Sequence, residues 1–308
     1  MAAVTPETLA APPPRDAPLW YRLARRAHEY AQLMRFHRPV GIWLLLWPVM
    51  WALWIAGAGR PREAVLVVFV LGVLVMRAAG CVVNDFVDRD IDPRVKRTRS
   101  RPLAARRVGP GEALVLLGLL AAAALFLVTR LNHLTVMLSL VGAALTIAYP
   151  FAKRLFALPQ LLLGISFGGW GVPMAFAAER GELPRVAWML FIAAVIWAVI
   201  YDTLYAMVDR DDDLKIGVRS TAILFADMDR VLIAMLQVLM LLTLALAGRG
   251  MHFGPWFYSG LAAAAVLFGY QQWLIRAREP AACFSAFQNN VYVGAAIFAG
   301  IALQYLYH

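Results

Sequence analysis

Two acidic strings stand out in a chain of 308 residues that is 62% hydrophobic: Val87–Asp92 reads VDRDID and Val208–Asp213 reads VDRDDD. They agree at five of six positions and lie 121 residues apart. On an α-helix, residues four apart share a face. Asn84, Asp88 and Asp92 follow that spacing, with Asp85 beside the stripe and Arg77 on the same face two turns earlier. Asp202, Tyr205, Asp209 and Asp213 form a second stripe. Carboxylates at such spacing repel one another and need a counter-charge. Oxygen-rich clusters suit Mg²⁺, a hard cation that joins one or two carboxylates to substrate phosphate. Basic residues follow each string: Arg94, Lys96, Arg97, Arg99 and Arg101 after the first, Lys215 and Arg219 after the second. A third stretch, YPFAKR, adds Tyr149, Lys153 and Arg154. Side chains of this kind grip phosphate oxygens. The predicted chemistry is Mg²⁺-assisted handling of a diphosphate. Asp90, Asp211 and Asp212 fall off the stripes and are read as solvated.

The elements that carry these residues are membrane spans. Only 16% of the residues are charged, mean hydropathy is +0.67, and a span needs roughly 20 apolar residues. Nine apolar runs meet or approach that length: 40–59, 64–83, 113–129, 134–152, 155–178, 186–208, 231–248, 251–275 and 281–308. An all-α polytopic fold follows, because a helix satisfies its own backbone polar groups in lipid. Arg77 and Asp202 each interrupt an apolar run, where a charge is expensive and normally lines a cavity. Of the 29 Lys and Arg residues, 22 fall in the segments on one side of nine spans and 6 on the other. That asymmetry predicts a cytoplasmic N-terminus and a periplasmic C-terminus. Both acidic strings then lie on the cytoplasmic side, at the ends of two helices running in the same direction, as a parallel internal repeat would place them. The net charge of +10 sits at membrane edges, where anionic lipid is the simpler partner than nucleic acid.

The remaining features point to one domain. Residues 1–18 are Ala- and Pro-rich and read as a disordered tail. Residues 19–38 alternate bulky apolar and basic side chains, the pattern of an amphipathic helix on the membrane surface. Residues 19–308 read as a single intramembrane domain. The two cysteines, Cys81 and Cys283, lie in apolar runs without the spacing of a disulfide framework or zinc site. A glycine-rich stretch, LLLGISFGGWGVP (161–173), permits close helix packing or leaves room for a prenyl chain, packing being the main expectation. The tail lacks a secretory signal's apolar core and contains Glu7 and Asp16, unlike a mitochondrial presequence. A bacterial inner membrane is the expected location.

Four stretches carry a family resemblance. MRAAGCVVNDFVDRDID (76–92), KRTRSRPL (96–103), YPFAKR (149–154) and YDTLYAMVDRDDDLKIGVRSTAILF (201–225) resemble the intramembrane aromatic prenyltransferases, in particular their hydroxybenzoate branch. The first contains the family pattern NDxxDxxxD and the last DxxxD, and the likeness runs from about residue 35 to the C-terminus. The resemblance implies nine helices around a central cavity that opens sideways to lipid. It implies Mg²⁺ held through Asn84, Asp88, Asp92, Asp209 and Asp213, with Lys153 and Arg154 on the diphosphate. Tyr149, Lys96, Arg97, Arg101 and Lys215 are further diphosphate candidates.

The reaction so implied moves a polyprenyl group from its diphosphate to the ring carbon ortho to the hydroxyl of 4-hydroxybenzoate, a step of ubiquinone biosynthesis. Breaking the allylic C–O bond gives a cation that water would quench, so a dry intramembrane cavity suits the chemistry. Asp202 is the candidate for polarising the phenol, stabilising the cation or accepting the ring proton, with Asp85 the alternative and Tyr205 on the same stripe. Arg77 is the candidate for the acceptor's carboxylate. Two other readings compete: prenylation of homogentisate or dihydroxynaphthoate, and a cation or proton transporter using the paired acidic helices. A transporter needs access from both sides, whereas these acids gather at one face beside dense basic loops.

Overall fold

The computed structural model describes residues 18–94, 98–155, 158–216, 221–224 and 228–307, and not the side chains of 94, 151–155, 211–216 and 222. The described residues are helical throughout, with no strand. In chain order the helices are α1 (Leu19–Leu33), α2 (Val40–Ala56), α3 (Glu63–Val87), α4 (Pro110–Val128), α5 (His133–Leu155), α6 (Pro159–Leu163), a π-helix (Gly164–Gly169), α7 (Gly171–Arg180), α8 (Arg185–Ile216), α9 (Thr221–Leu224), α10 (Asp229–Gly250), α11 (Pro255–Leu274) and α12 (Pro280–Leu306). The helix boundaries obey local chemistry. Four helices begin on proline, whose missing N–H costs nothing at a first turn. Helix α7 stops at Gly181 in the left-handed conformation, φ 73°.

Among the described residues, helices overlap each of the nine apolar runs. Seven segments are long and apolar enough to cross a membrane: Glu63–Val87, Pro110–Val128, His133–Pro150, Pro159–Arg180, Arg185–Arg210, Asp229–Gly250 and Pro280–Leu306. Helix α2 is apolar but has 17 residues, and α11 has 20 residues but stands outside the seven. Among the described residues, seven segments therefore meet the spanning criteria.

The chain divides into two compact units. The first comprises Val75–Ala124 and the described part of Met1–Pro39. Its core is Leu33, Val82, Leu103, Val108 and Ala113. Helix α1 buries Glu29 and leaves Leu19, Trp20 and Leu23 exposed, an inversion that suits a helix facing lipid. The second unit comprises Val40–Leu74 and Leu125–His308. Its core is built around Trp51, Phe176, Trp197 and Phe257, all fully buried.

Glycines set the packing around α8. A Cβ on Gly164 would lie 2.9 Å from the Val195 carbonyl oxygen, on Gly168 2.8 Å from Ala198 Cβ, and on Gly169 2.9 Å from the Phe191 ring. The glycine-rich stretch therefore does pack closely, against the helix that carries the second acidic string. It does so through a π-helical turn, which the apolar run 155–178 gave no sign of.

Candidate active site

The first acidic string sits at the tip of α3, in the first unit. The regular helix ends at Val87, so the sequence's expectation of one continuous helical stripe from Asn84 to Asp92 needs correction. Pro93 bars helix from running on past the string, because its ring would clash with the Arg89 carbonyl and it has no N–H to donate. The chain turns instead, and Asp92–Arg94 forms a 3₁₀ turn. Hydrogen bonds at helical spacing persist through the turn: Asp88 N donates to Asn84 O at 3.0 Å, and Asp92 N to Asp88 O at 2.9 Å. The three donor residues are thus still one turn apart.

Burial and charge are concentrated here. Asp85 is 1% exposed, Asp92 6% and Asp88 9%. Arg35 Nη2 donates to Asp85 Oδ1 at 2.6 Å, and Arg101 Nη1 donates to Asp85 Oδ1 at 3.0 Å and to Asp92 Oδ2 at 2.8 Å. Thr98 Oγ1 donates to Asp92 O at 2.9 Å. Burial pushes the Asp92 carboxyl above its ordinary value; Arg101 pulls it back, and Asp85 and Asp88 push it up again. Asp90 behaves as read from the sequence, with its side chain 81% exposed. Arg77 sits one turn before Cys81 and contacts its sulfur.

The second string sits on α8, in the second unit. That helix continues without a break through Asp213 to Ile216. Asp202, Tyr205 and Asp209 are partly accessible, whereas Tyr201, Thr203, Leu204, Ala206 and Met207 are buried. The stripe seen in the sequence is the open face of the helix. Aromatic rings flank it: Tyr205 lies 4.9 Å from Phe287 and 6.4 Å from Phe284, and Tyr201 lies 6.5 Å from Phe287 and 5.6 Å from Trp197. Arg210, inside the string, pairs with fully buried Asp229 at 3.5 Å, which Arg278 also holds at 2.8 Å. Tyr149, on α5, packs its ring edge-on to Phe167 at 5.7 Å.

Several sequence candidates fall elsewhere. Lys96 and Arg97 are outside the described residues, as are the side chains of Lys153, Arg154, Asp213 and Lys215. Among the described residues, no three acidic, histidine or cysteine side chains converge as a metal-holding group. The buried acidic side chains at this helix tip, Asp85, Asp88 and Asp92, offer carboxylate oxygens. That donor chemistry fits Mg²⁺, which takes few protein carboxylates and completes its shell with water and substrate phosphate.

A profile of the UbiA prenyltransferase family matches residues 45–302. The chain belongs to the UbiA prenyltransferase family. Two similar relatives within it are named 4-hydroxybenzoate octaprenyltransferase. The protein of Alkalilimnicola ehrlichii is 58% identical over 282 residues, 92% of this chain and 96% of that one. The protein of Nitrosococcus oceani is 58% identical over 284 residues, 92% and 99%. Among solved structures, the apo UbiA homologue from Aeropyrum pernix K1 superposes with a TM-score of 0.73 at 24% identity, over 85% of this chain and 97% of that one. The Archaeoglobus fulgidus homologue bound to GPP and Mg²⁺ gives 0.69 at 16% identity, over 90% and 99%. These likenesses establish an all-helical UbiA prenyltransferase fold.

Within that family fold, sequence reasoning missed Arg35, Thr98, Asp229, Arg278, Phe284 and Phe287. Arg35 lies 50 residues from its partner Asp85, and no local spacing connects them. Arg101, which the sequence grouped with the diphosphate candidates, has its guanidinium on Asp85 and Asp92.

Proposed function

We propose that the chain transfers a polyprenyl group from polyprenyl diphosphate to the carbon ortho to the hydroxyl of 4-hydroxybenzoate, in a bacterial inner membrane, as a step of ubiquinone biosynthesis. One observation carries this reading: relatives that are 58% identical across 92% of the chain bear that enzyme's name. An octaprenyl donor follows from the same names. Residues 19–308 act as one catalytic domain, with the N-terminus cytoplasmic and the C-terminus periplasmic.

In this reading Asn84, Asp88 and Asp92 from the first string and Asp209 and Asp213 from the second hold Mg²⁺. When bound, Mg²⁺ neutralises the charge that develops on the departing diphosphate. The small number of carboxylates gathered by either string alone accords with a cation that needs substrate oxygens to complete its shell. Lys153, Arg154, Lys96, Arg97, Lys215 and the Tyr149 hydroxyl bind the diphosphate oxygens, favouring heterolysis of the allylic C–O bond. The bond's electron pair leaves with the diphosphate. The aromatic rings of Tyr205, Phe284 and Phe287 offer the allylic cation their π faces. The phenol ring attacks through its ortho carbon, forming the C–C bond, and the ring proton passes to Asp202 on the open face of α8. Arg77 receives the acceptor's carboxylate.

Purified protein, 4-hydroxybenzoate and prenyl diphosphates of several lengths test this directly. The expected result is a C-prenylated hydroxybenzoate with stoichiometric diphosphate release, abolished by EDTA and restored by Mg²⁺. Product with homogentisate or dihydroxynaphthoate alone would defeat the acceptor assignment. Arg77→Ala should raise the KM for 4-hydroxybenzoate about ten-fold while leaving that for the prenyl donor unchanged. An unchanged acceptor KM would remove Arg77 from the site.

A further inference from the structure

We infer that Arg35 and Asp85 are positioning residues: together they anchor Arg101, and Arg101 holds Asp92 in the place from which it serves the metal. The inference rests on the metal role proposed for the first string. Asp85 comes directly after Asn84, two residues before the string, and the sequence offers it as a second candidate for the proton acceptor. Its surroundings give it another task. Asp85 Oδ1 receives a guanidinium N–H from Arg35 at 2.6 Å and another from Arg101 at 3.0 Å, at a site only 1% exposed. Arginine keeps its charge at all working pH values.

The geometry runs as a chain. The same Arg101 nitrogen that meets Asp85 also meets Asp92 Oδ2 at 2.8 Å. The peptide between them is closed on itself, with Thr98 Oγ1 on Asp92 O at 2.9 Å and Arg101 N on Thr98 O at 2.9 Å. Moving Arg101 therefore moves Asp92 and the turn that carries it. Arg35 fixes the other end of the chain from the turn that follows α1. It adopts a left-handed backbone, φ 58°, which is uncommon for a residue with a side chain. Such a conformation persists only where the surroundings hold it. Here the turn is closed by Arg35 N on Gln32 O at 3.0 Å and Phe36 N on Ala31 O at 3.1 Å.

A second set of contacts ties α1 to the same loop. Buried Glu29 accepts from Arg107 Nε at 2.9 Å, Arg107 Nη2 donates to Ser100 O at 3.0 Å, and Arg26 Nη1 donates to Arg107 O at 3.0 Å. The loop bearing Arg101 is thus held by α1 on both sides. Helix α1 is in this respect a strap for the first acidic string as well as a helix with an apolar outer face.

The test uses the full chain in nanodiscs, with Arg35→Met, Arg35→Lys, Asp85→Asn and the double variant Arg35→Met/Asp85→Asn. In metal-free protein, hydrogen exchange at the Asp92 and Arg101 amides should quicken about ten-fold in Arg35→Met and Asp85→Asn. In the assay, both variants should need about ten-fold more Mg²⁺ for half-maximal rate, with the KM for the aromatic acceptor unchanged. Arg35→Lys, which keeps the charge, should recover most of the loss. The double variant should be no worse than the worse single one, as members of one chain behave. If Arg35→Met does not accumulate, Arg35→Lys and Asp85→Asn give the same comparison. A fall in kcat for Asp85→Asn with exchange and Mg²⁺ demand unaltered would overturn the inference and make Asp85 a chemical participant. Wild-type values in every variant would also overturn it. A wild-type enzyme that needs no Mg²⁺ would defeat the metal reading itself, whereas normal Mg²⁺ dependence with unaltered exchange would defeat only this inference.

Discussion

The two acidic strings share five of six residues and adopt two different backbones. VDRDID leaves the helix after its first residue and enters a turn and a 3₁₀ segment. VDRDDD remains inside an α-helix of 32 residues. The next residue in the chain differs as well: Pro93, which bars further helix, comes directly after the first string, and Leu214, which permits it, after the second. The arginine within each string also differs in use. Arg89 stacks on Phe86 at 4.8 Å and donates to that residue's carbonyl, whereas Arg210 pairs with buried Asp229. The first string is organised by ion pairs reaching in from α1 and a loop. The second is organised by side-chain packing along a rigid helix. A metal-binding pattern thus fixes which donors are present, and the flanking residues decide how they are held.

The largest expected effect tests whether the two strings are equal partners. Asp88→Ala and Asp209→Ala should each lower kcat/KM by about three orders of magnitude, since each removes a donor for the charge on the leaving diphosphate. Both proteins should remain in the membrane at wild-type levels, because neither aspartate belongs to either hydrophobic core. Near-normal turnover by one variant and not the other, at matched expression, would break the equivalence and leave a single working string.

A smaller effect should come from exchanging the backbone signals. Leu214→Pro places a helix breaker in the last turn of α8, at a cost of about 3 kcal/mol in a helix interior. The distortion should reach Asp209 and Asp213 and reduce turnover about 100-fold. Pro93→Ala permits α3 to extend and carries Asp92 away from Arg101, so a roughly ten-fold rise in the Mg²⁺ requirement is expected. Circular dichroism should register a gain of helix in the second variant and a loss in the first. If Pro93→Ala changes neither helix content nor Mg²⁺ demand, the proline is not what ends α3.

How much of this was legible in the sequence depended on the range of the physics. Hydropathy is local, so among the described residues every apolar run overlaps a helix, and seven segments meet the spanning criteria. Spacing along one helix is local too, and the stripe Asp202–Tyr205–Asp209 is the open face of α8. The same logic overruns at Asp92, because counting by fours assumes a regular helix and the helix ends at Val87. The ion pairs were illegible for another reason. Arg35 meets Asp85 across 50 residues, and Arg278 meets Asp229 across 49. Such pairs depend on tertiary packing, which leaves no period in the sequence. The aromatic neighbours of Tyr205 come from α12, far along the chain, and the order of residues gives no hint of that either.

The smallest expected effect separates the two regions by packing alone. Gly168 lies under α8, and a Cβ there would meet Ala198 Cβ at 2.8 Å, Ala194 O at 3.5 Å and Tyr201 Oη at 3.5 Å. A methyl on another alanine cannot rotate away, so Gly168→Ala must push the π-helix and α8 apart. Overpacking of this kind costs about 1–3 kcal/mol, partly offset by the higher helix propensity of alanine. Gly118, on exposed helix α4, has nothing within 4 Å of its Cβ position. There the same substitution gains propensity without a clash, so Gly118→Ala should be neutral or stabilising by up to about 1 kcal/mol. Unfolding in mixed detergent measures both. Turnover should fall several-fold in Gly168→Ala, because the displaced helix carries Asp202 and Asp209, and stay unchanged in Gly118→Ala. Equal stability for the two variants would mean that α8 has room to yield, and that the second acidic string is held less rigidly than its packing implies.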